Sequence, residues 1–275
     1  MTIPSPFAAP DSSRVPCIGV FDSGVGGLTV MRALREQLPD VPLHYLADTA
    51  HAPYGDRSSD YIVERSVKVA EHLRAVGARM AVVACNTATA HAVLAMRERW
   101  PEWPVVGIEP GVKPAVAATR NGRIGVMATT ATIASRRYEQ LVAAHAAEVT
   151  LISQPCPGLV TLIERGDLRS PELDALIQRF CAPMREALVD TVLLGCTHYP
   201  LIRDRIQAAL GDGVRLLDIE DAVARQAKRV WETLGIAPVH DAGIVLESTG
   251  DPAPLQHLAR EALGWRDVVA TRIPA

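Results

Sequence analysis

Short continuous apolar runs and helix-length amphipathic stretches alternate along almost the whole chain. Ile18–Phe21 opens the series as a strand-like run and a Gly-rich turn follows it. Leu28, Met31, Leu34 and Leu38 then recur at helical spacing until Pro39 closes the segment. Further strand-like runs stand at Leu43–Ala47, Met80–Ala84, Val105–Ile108, Arg123–Met127, Val149–Ile152, Thr191–Leu194, Val214–Leu217 and Gly243–Glu247. Helical patterns such as Asp60–Val76 and Ala131–Ala147 lie between them. Strand–helix alternation of this length predicts an α/β fold with a mostly parallel, doubly wound sheet. Runs that are apolar throughout, rather than at every second position, predict strands covered on both faces.

The pattern also repeats. Ile18-Gly19-Val20 with Asp22-Ser23 after it resembles Ile124-Gly125-Val126 with Thr129-Thr130 after it. Val82-Val83-Ala84-Cys85-Asn86-Thr87 resembles Leu193-Leu194-Gly195-Cys196-Thr197-His198. Both pairs are separated by about 110 residues and come in the same order, which suggests a duplicated α/β unit. Generic likeness among strand–turn–helix units is the competing explanation.

Composition narrows the function. The chain has 275 residues, 48% hydrophobic and 21% charged, with a formal net charge of −3. That balance, with no long basic block, argues against nucleic acid or an anionic membrane as the main partner. No apolar stretch approaches the roughly 18 residues of a membrane span. Pro4, Pro6, Pro10 and Pro16 interrupt the start, and Arg14 is its one basic residue, so residues 1–16 read as a flexible tail rather than a signal peptide. A cytoplasmic protein is expected. Its five cysteines are scattered, which does not suit a disulfide framework.

Two of those cysteines stand out. Cys85 and Cys196 each follow an apolar run directly and precede small polar residues, at the strand's carboxyl end, where open α/β sheets bind ligands. Each turn leads into a helical pattern, Ala88–Trp100 and Leu201–Leu210, whose positive dipole end is expected to lower a thiol's pKa. His198 could supply a proton or a positive charge beside Cys196. Cys17, Cys156 and Cys181 read as buried filler. Asp22-Ser23-Gly24-Val25-Gly26-Gly27 is a third strand-end turn. It fails as a dinucleotide loop because Thr29 stands where a glycine is needed, and as a P-loop because no lysine follows. Asp22 could orient a polar substrate, support a thiol, or merely cap the next helix. Tyr54, between Pro53 and Gly55, is presented by a turn. Glu164 reads as a helix-surface charge.

Cofactors find little support. Pyridoxal phosphate needs a Schiff-base lysine. Lys68 and Lys228 fall mid-helix, leaving Lys113 in a Pro-rich turn. Zinc on Cys85, Cys196, His198 and His51 lacks any C-x-x-C or H-x-x-x-H spacing. No cofactor and no metal are therefore expected.

These residues carry a family likeness. The segments IGVFDSGVGGLTV (18–30), YLADTAHAPYGDRS (45–58), VVACNTATA (82–90), IEPGVKPA (108–115), IGVMATTATIASRRY (124–138), PGLVTLIERG (157–166) and LLGCTHYPLI (193–202) resemble the glutamate racemases of the cofactor-independent Asp/Glu racemase family. Glu247-Ser248-Thr249-Gly250-Asp251 departs from the family's usual Thr/Ser-Ser/Gly-Asp order. The resemblance implies two similar, mostly parallel α/β domains with the active site between them. The first would comprise residues 17–109 plus 220–275, the second 110–219. It implies proton transfer at Cα by Cys85 and Cys196 on opposite faces, Asp22 assisting Cys85, and His198 with Glu164 assisting Cys196. Asp22, Ser23, Tyr54, Gly55, Asn86, Thr87, Thr130, Thr197 and His198 would bind the amino acid. The resemblance further implies L-glutamate to D-glutamate conversion for peptidoglycan, in a homodimer. A racemase of aspartate, or an amino-acid-binding module with structural thiols, would share much of this sequence.

Overall fold

The computed structural model describes residues 15–239, 242–261 and 263–275. The expectation of a flexible tail falls almost wholly on residues 1–14, outside the described residues. Ten strands form, among the described residues: β1 (Cys17–Asp22), β2 (Leu43–Ala47), β3 (Ala78–Val83), β4 (Val105–Gly107), β5 (Arg123–Ala128), β6 (Thr150–Pro155), β7 (Thr191–Leu194), β8 (Arg215–Leu217), β9 (Ile244–Ser248) and β10 (Ala270–Arg272). They build a six-stranded sheet in the order β10-β9-β2-β1-β3-β4 and a four-stranded sheet in the order β6-β5-β7-β8. Every pairing is parallel.

The repeat seen along the chain reappears as topology. The run β2-β1-β3-β4 in one sheet and β6-β5-β7-β8 in the other share one connection order. Cys85 follows β3 and Cys196 follows β7, so the two thiols occupy equivalent strand ends. The continuous apolar runs are explained by the packing. Val20, Met80 and Val82 enter one core cluster, while their neighbours Phe21, Ala81 and Val83 enter another on the opposite face. Val126 and Leu193 of the smaller sheet join the first of these clusters, so one apolar cluster runs through both halves. Each fully buried Val, Leu or Ile there contributes about 1.5–3 kcal/mol of hydrophobic stabilisation.

Several elements differ from the sequence expectation. The helix expected over Ala131–Ala147 is two, Thr130–Ile133 and Arg136–His145. Ser135 causes the break, because its hydroxyl accepts from the Tyr138 N–H and caps a fresh start. The helix expected at Leu201–Leu210 begins as a 3-10 turn over Tyr199–Ile202 and turns α-helical at Arg203–Leu210. Lys113 lies in a short helix, Val112–Ala118, rather than a turn. Strand β10 is absent from the sequence reading, since three residues with Thr271 and Arg272 exposed carry no apolar run. Its backbone pairing to β9 is what makes it a strand. Among the described residues no helix is long and apolar enough to cross a membrane.

Replacing Ser135 with alanine removes a buried cap, and it is expected to lower unfolding free energy by about 1 kcal/mol. Urea denaturation of the two proteins measures the difference.

Candidate active site

The carboxyl ends of β1 and β3 in one sheet and of β5, β6 and β7 in the other converge. Between them lies a cleft lined by both Cys85 and Cys196. Ser23, Tyr54, Gly55, Asn86, Thr87, Thr130, Thr197 and His198 share its walls. A larger, more open hollow near Trp103, Lys113 and Arg137 contains neither thiol. Size does not decide here; the chemistry sits in the smaller space.

Cys85 is the N-cap of the helix Asn86–Arg99. Its sulfur accepts from the Ala88 N–H at 3.4 Å, and its thiol donates to Ser23 Oγ at 3.6 Å. Burial pushes this thiol up to about 12 and the nearby Asp22 charge adds to that, outweighing the Ala88 and Ser23 hydrogen bonds. The expectation that the helix end would lower its pKa is therefore corrected: dehydration is the larger effect. Cys196 has a different neighbourhood. Its sulfur lies 3.7 Å from His198 Nδ1, and His198 Nε2 forms a short hydrogen bond to Glu164. Burial alone would lower the His198 pKa, but the Cys196 and Glu164 partners raise it well above its usual 6.5.

Asp22 and Glu164 do not line the cleft; they stand one layer behind it. Asp22 is fully buried and caps no helix, since the helix after the turn has Gly27 at its N-cap. One carboxylate oxygen accepts from the Gly24 N–H at 3.0 Å and the Ser23 hydroxyl at 3.1 Å. The other accepts from Thr197 Oγ1, across the two halves, at 2.7 Å. Asp22 thus touches Cys85 only through Ser23. Glu164 is no free surface charge, because it also accepts from the Val25 N–H at 2.8 Å. The glycines of the turn permit this approach. A Cβ on Gly24 would run into the Glu164 carboxylate, and one on Gly26 would stand 2.5 Å from His198 Nδ1.

Tyr54 is held rigidly. Its hydroxyl donates to Asp48 at 2.5 Å, and the Arg65 guanidinium pairs with the same carboxylate at 2.8 and 3.1 Å. Thr249 completes the shell at 2.9 Å. Asn86 is the opposite case: both polar atoms of its side chain are buried and lack any partner. Such a pair in a cleft wall has hydrogen bonds left to give to an occupant.

Sequence reasoning passed over Asp48 and Arg65, and over Thr129, Cys156, Gly158 and Thr161 in the cleft wall. Cys156 also directly follows a strand, β6, but Ser153-Gln154-Pro155 stand before it where the other two thiols have apolar residues, so the apolar-run signal was missing. Thr129 bonds the Thr87 hydroxyl at 2.9 Å, tying the halves together at the cleft's edge. His51 lies outside the cleft, its Nδ1 2.6 Å from the Tyr61 hydroxyl.

A cleft between two equivalent parallel-sheet halves, with one strand-end thiol from each, defines a class before any comparison is made. The chain belongs to the Asp/Glu/hydantoin racemase family, whose model matches residues 15–227. It is 49% identical over 219 residues to the glutamate racemase of Pseudomonas syringae pv. tomato, covering 80% of each chain. A crystal structure of a Bacillus anthracis glutamate racemase isoform superposes with a TM-score of 0.82 at 31% identity, covering 95% of this chain and 98% of that one. The Escherichia coli glutamate racemase, in complex with L-glutamate and the activator UDP-MurNAc-ala, gives 0.80 at 32% identity, covering 94% and 98%.

Removing the Glu164 charge is expected to lower the His198 pKa. Because that pKa is raised in the folded protein, the stabilisation is fully present below about 6.5 and is lost as pH rises through the folded value. In Glu164→Gln, NMR titration of the His198 ring should show deprotonation at lower pH. The stability gap between the wild type and this variant should also narrow at alkaline pH.

Proposed function

We propose that the protein interconverts L- and D-glutamate without a cofactor, using Cys85 and Cys196 as a pair of acid/base groups. The observation that carries this reading is that the two thiols, from equivalent strand ends of separate sheets, line one cleft. Inversion at Cα removes a proton from one face and returns one to the other, and a single base does not easily reach both. One cysteine, as thiolate, takes the α-proton. The electron pair of the broken C–H bond stays on Cα and spreads into the carboxylate. The opposite thiol then gives its proton to the other face and becomes the thiolate, and the reverse reaction exchanges the roles.

The two thiols are prepared differently. The Cys196 and Glu164 partners that raise the His198 pKa set a cationic imidazole beside the Cys196 sulfur, and Glu164 holds that imidazole in place. Cys85 stays protonated in the free protein because of its burial and the Asp22 charge. One thiolate and one thiol is the pairing that a two-base step requires. Ser23, Thr87, Thr197 and the unpartnered Asn86 amide suit the carboxylate and ammonium of an amino acid, and their fixed dipoles stabilise the charge that develops. Tyr54, Gly55 and Thr130 border the same space. Lys68, Lys113 and Lys228 are the chain's lysines, and none lines the cleft, which supports chemistry without a Schiff base.

In this reading residues 17–109 with 220–275 form one domain and 110–219 the other. The membership of the two sheets supports that division. The glutamate racemase names of the relatives support glutamate as substrate. With that substrate the enzyme works in the cytoplasm as a homodimer and supplies D-glutamate to peptidoglycan, which rests on the family resemblance.

The test is α-hydrogen exchange. L-Glutamate incubated with the protein in heavy water should lose its α-proton by NMR while its circular dichroism decays to zero. Cys85→Ser and Cys196→Ser should each slow racemisation by about 10²–10⁴-fold or more. Retention of the α-proton by the wild type would leave a binding module, and faster turnover of L-aspartate would reassign the substrate.

A further inference from the structure

Away from the cleft, His44 on β2, Glu247 on β9 and His72 on the helix Ser59–Ala75 come together on the helix-covered side of the larger sheet. Their ligand-type atoms all lie within 4.8 Å of one another. One carboxylate oxygen, Glu247 Oε2, is the focus. It lies 2.8 Å from His44 Nε2 and 2.6 Å from His72 Nε2. The imidazoles meet edge-on, with centroids 6.1 Å apart and planes at 72°, so both Nε2 atoms point to one place from different directions. The catalytic scheme uses none of the three.

We infer that His44, His72 and Glu247 form a binding site for a divalent transition-metal ion of the zinc class. Two imidazoles and a carboxylate are a ligand set suited to such ions. Ligand–metal distances of about 2.0–2.2 Å with tetrahedral angles put ligand atoms roughly 3.3–3.5 Å apart. The two nitrogen–oxygen distances would widen by roughly 0.5–0.9 Å to admit the ion. On binding, each imidazole offers its Nε2 lone pair and any proton on that nitrogen passes to solvent. His72, with a third of its side chain exposed, leaves a way in from solvent and a fourth position for water. Three ligands on three elements would fasten the returning strand β9 to β2 and to the helix above them. The site would be structural and independent of the thiol chemistry.

The whole protein, stripped with a chelator, is to be titrated with Co²⁺ and Zn²⁺ and compared with His72→Ala and Glu247→Gln. Glutamine at 247 keeps the shape of the side chain, and His72 is exposed enough to be shortened without a large cavity. One ion per chain is expected, with Co²⁺ giving visible d–d bands and no sulfur-to-cobalt charge-transfer band. That signature separates this site from the cleft thiols. Zn²⁺ should raise Tm in the wild type, and either substitution should weaken binding at least about tenfold and remove the rise. Absence of saturable uptake by the wild type would overturn the assignment. So would a sulfur charge-transfer band, or equal affinity in both variants.

Discussion

The active cleft depends on a buried carboxylate that has to be satisfied from both sides. Asp22 is fully buried at the end of β1, where an unpaired charge would be costly. It meets that requirement with its own turn, through Gly24 and Ser23, and with Thr197 from the other half. Thr197 is the residue after Cys196. The bond that solvates Asp22 therefore also places the second thiol's turn against the first half. Glu164 does the same in reverse, reaching from the second half to the Val25 N–H and to His198. The glycine turn between these partners is permissive because both acidic and imidazole side chains need its bare backbone.

The shared connection order supplies two equivalent strand ends, but the surroundings of the thiols are not equivalent. Cys85 sits over a neutral serine with a carboxylate behind it, whereas Cys196 sits beside an imidazole with a carboxylate behind that. The charge nearest each sulfur is thus of opposite sign. A fold with two equivalent strand ends thus carries an asymmetric charge distribution around its two cleft thiols. Behind the cleft, Asp48, Arg65 and Thr249 fix Tyr54 through a buried network that belongs wholly to the larger sheet's half. The halves themselves meet through an apolar cluster and through hydroxyl and carboxylate bonds at the cleft.

The class of fold was legible because a strand buried on both faces has no other pattern to show than an unbroken apolar run. The strands at Leu43–Ala47 and Thr191–Leu194 match their runs end to end. Strand β10 was illegible because an edge strand of three residues is defined by whom it pairs with, not by its own residues. The break at Ser135 was hidden for a related reason. A cap is one hydrogen bond, and apolar periodicity carries on through it.

By itself the sequence determined the alternation of elements, the repeat, and the strand-end position of Cys85 and Cys196, because these follow from local order along the chain. Tertiary structure decided everything that depends on neighbours distant in sequence. Glu164 reads as a surface charge until His198 and Val25 are brought to it, and Asp22 reads equally as a substrate-orienting group, a support for a thiol or a cap until Thr197 is brought to it. The direction of the Cys85 shift was decided there too. A helix end acts locally and favours the thiolate, whereas dehydration comes from the whole surrounding fold and is the stronger of the two.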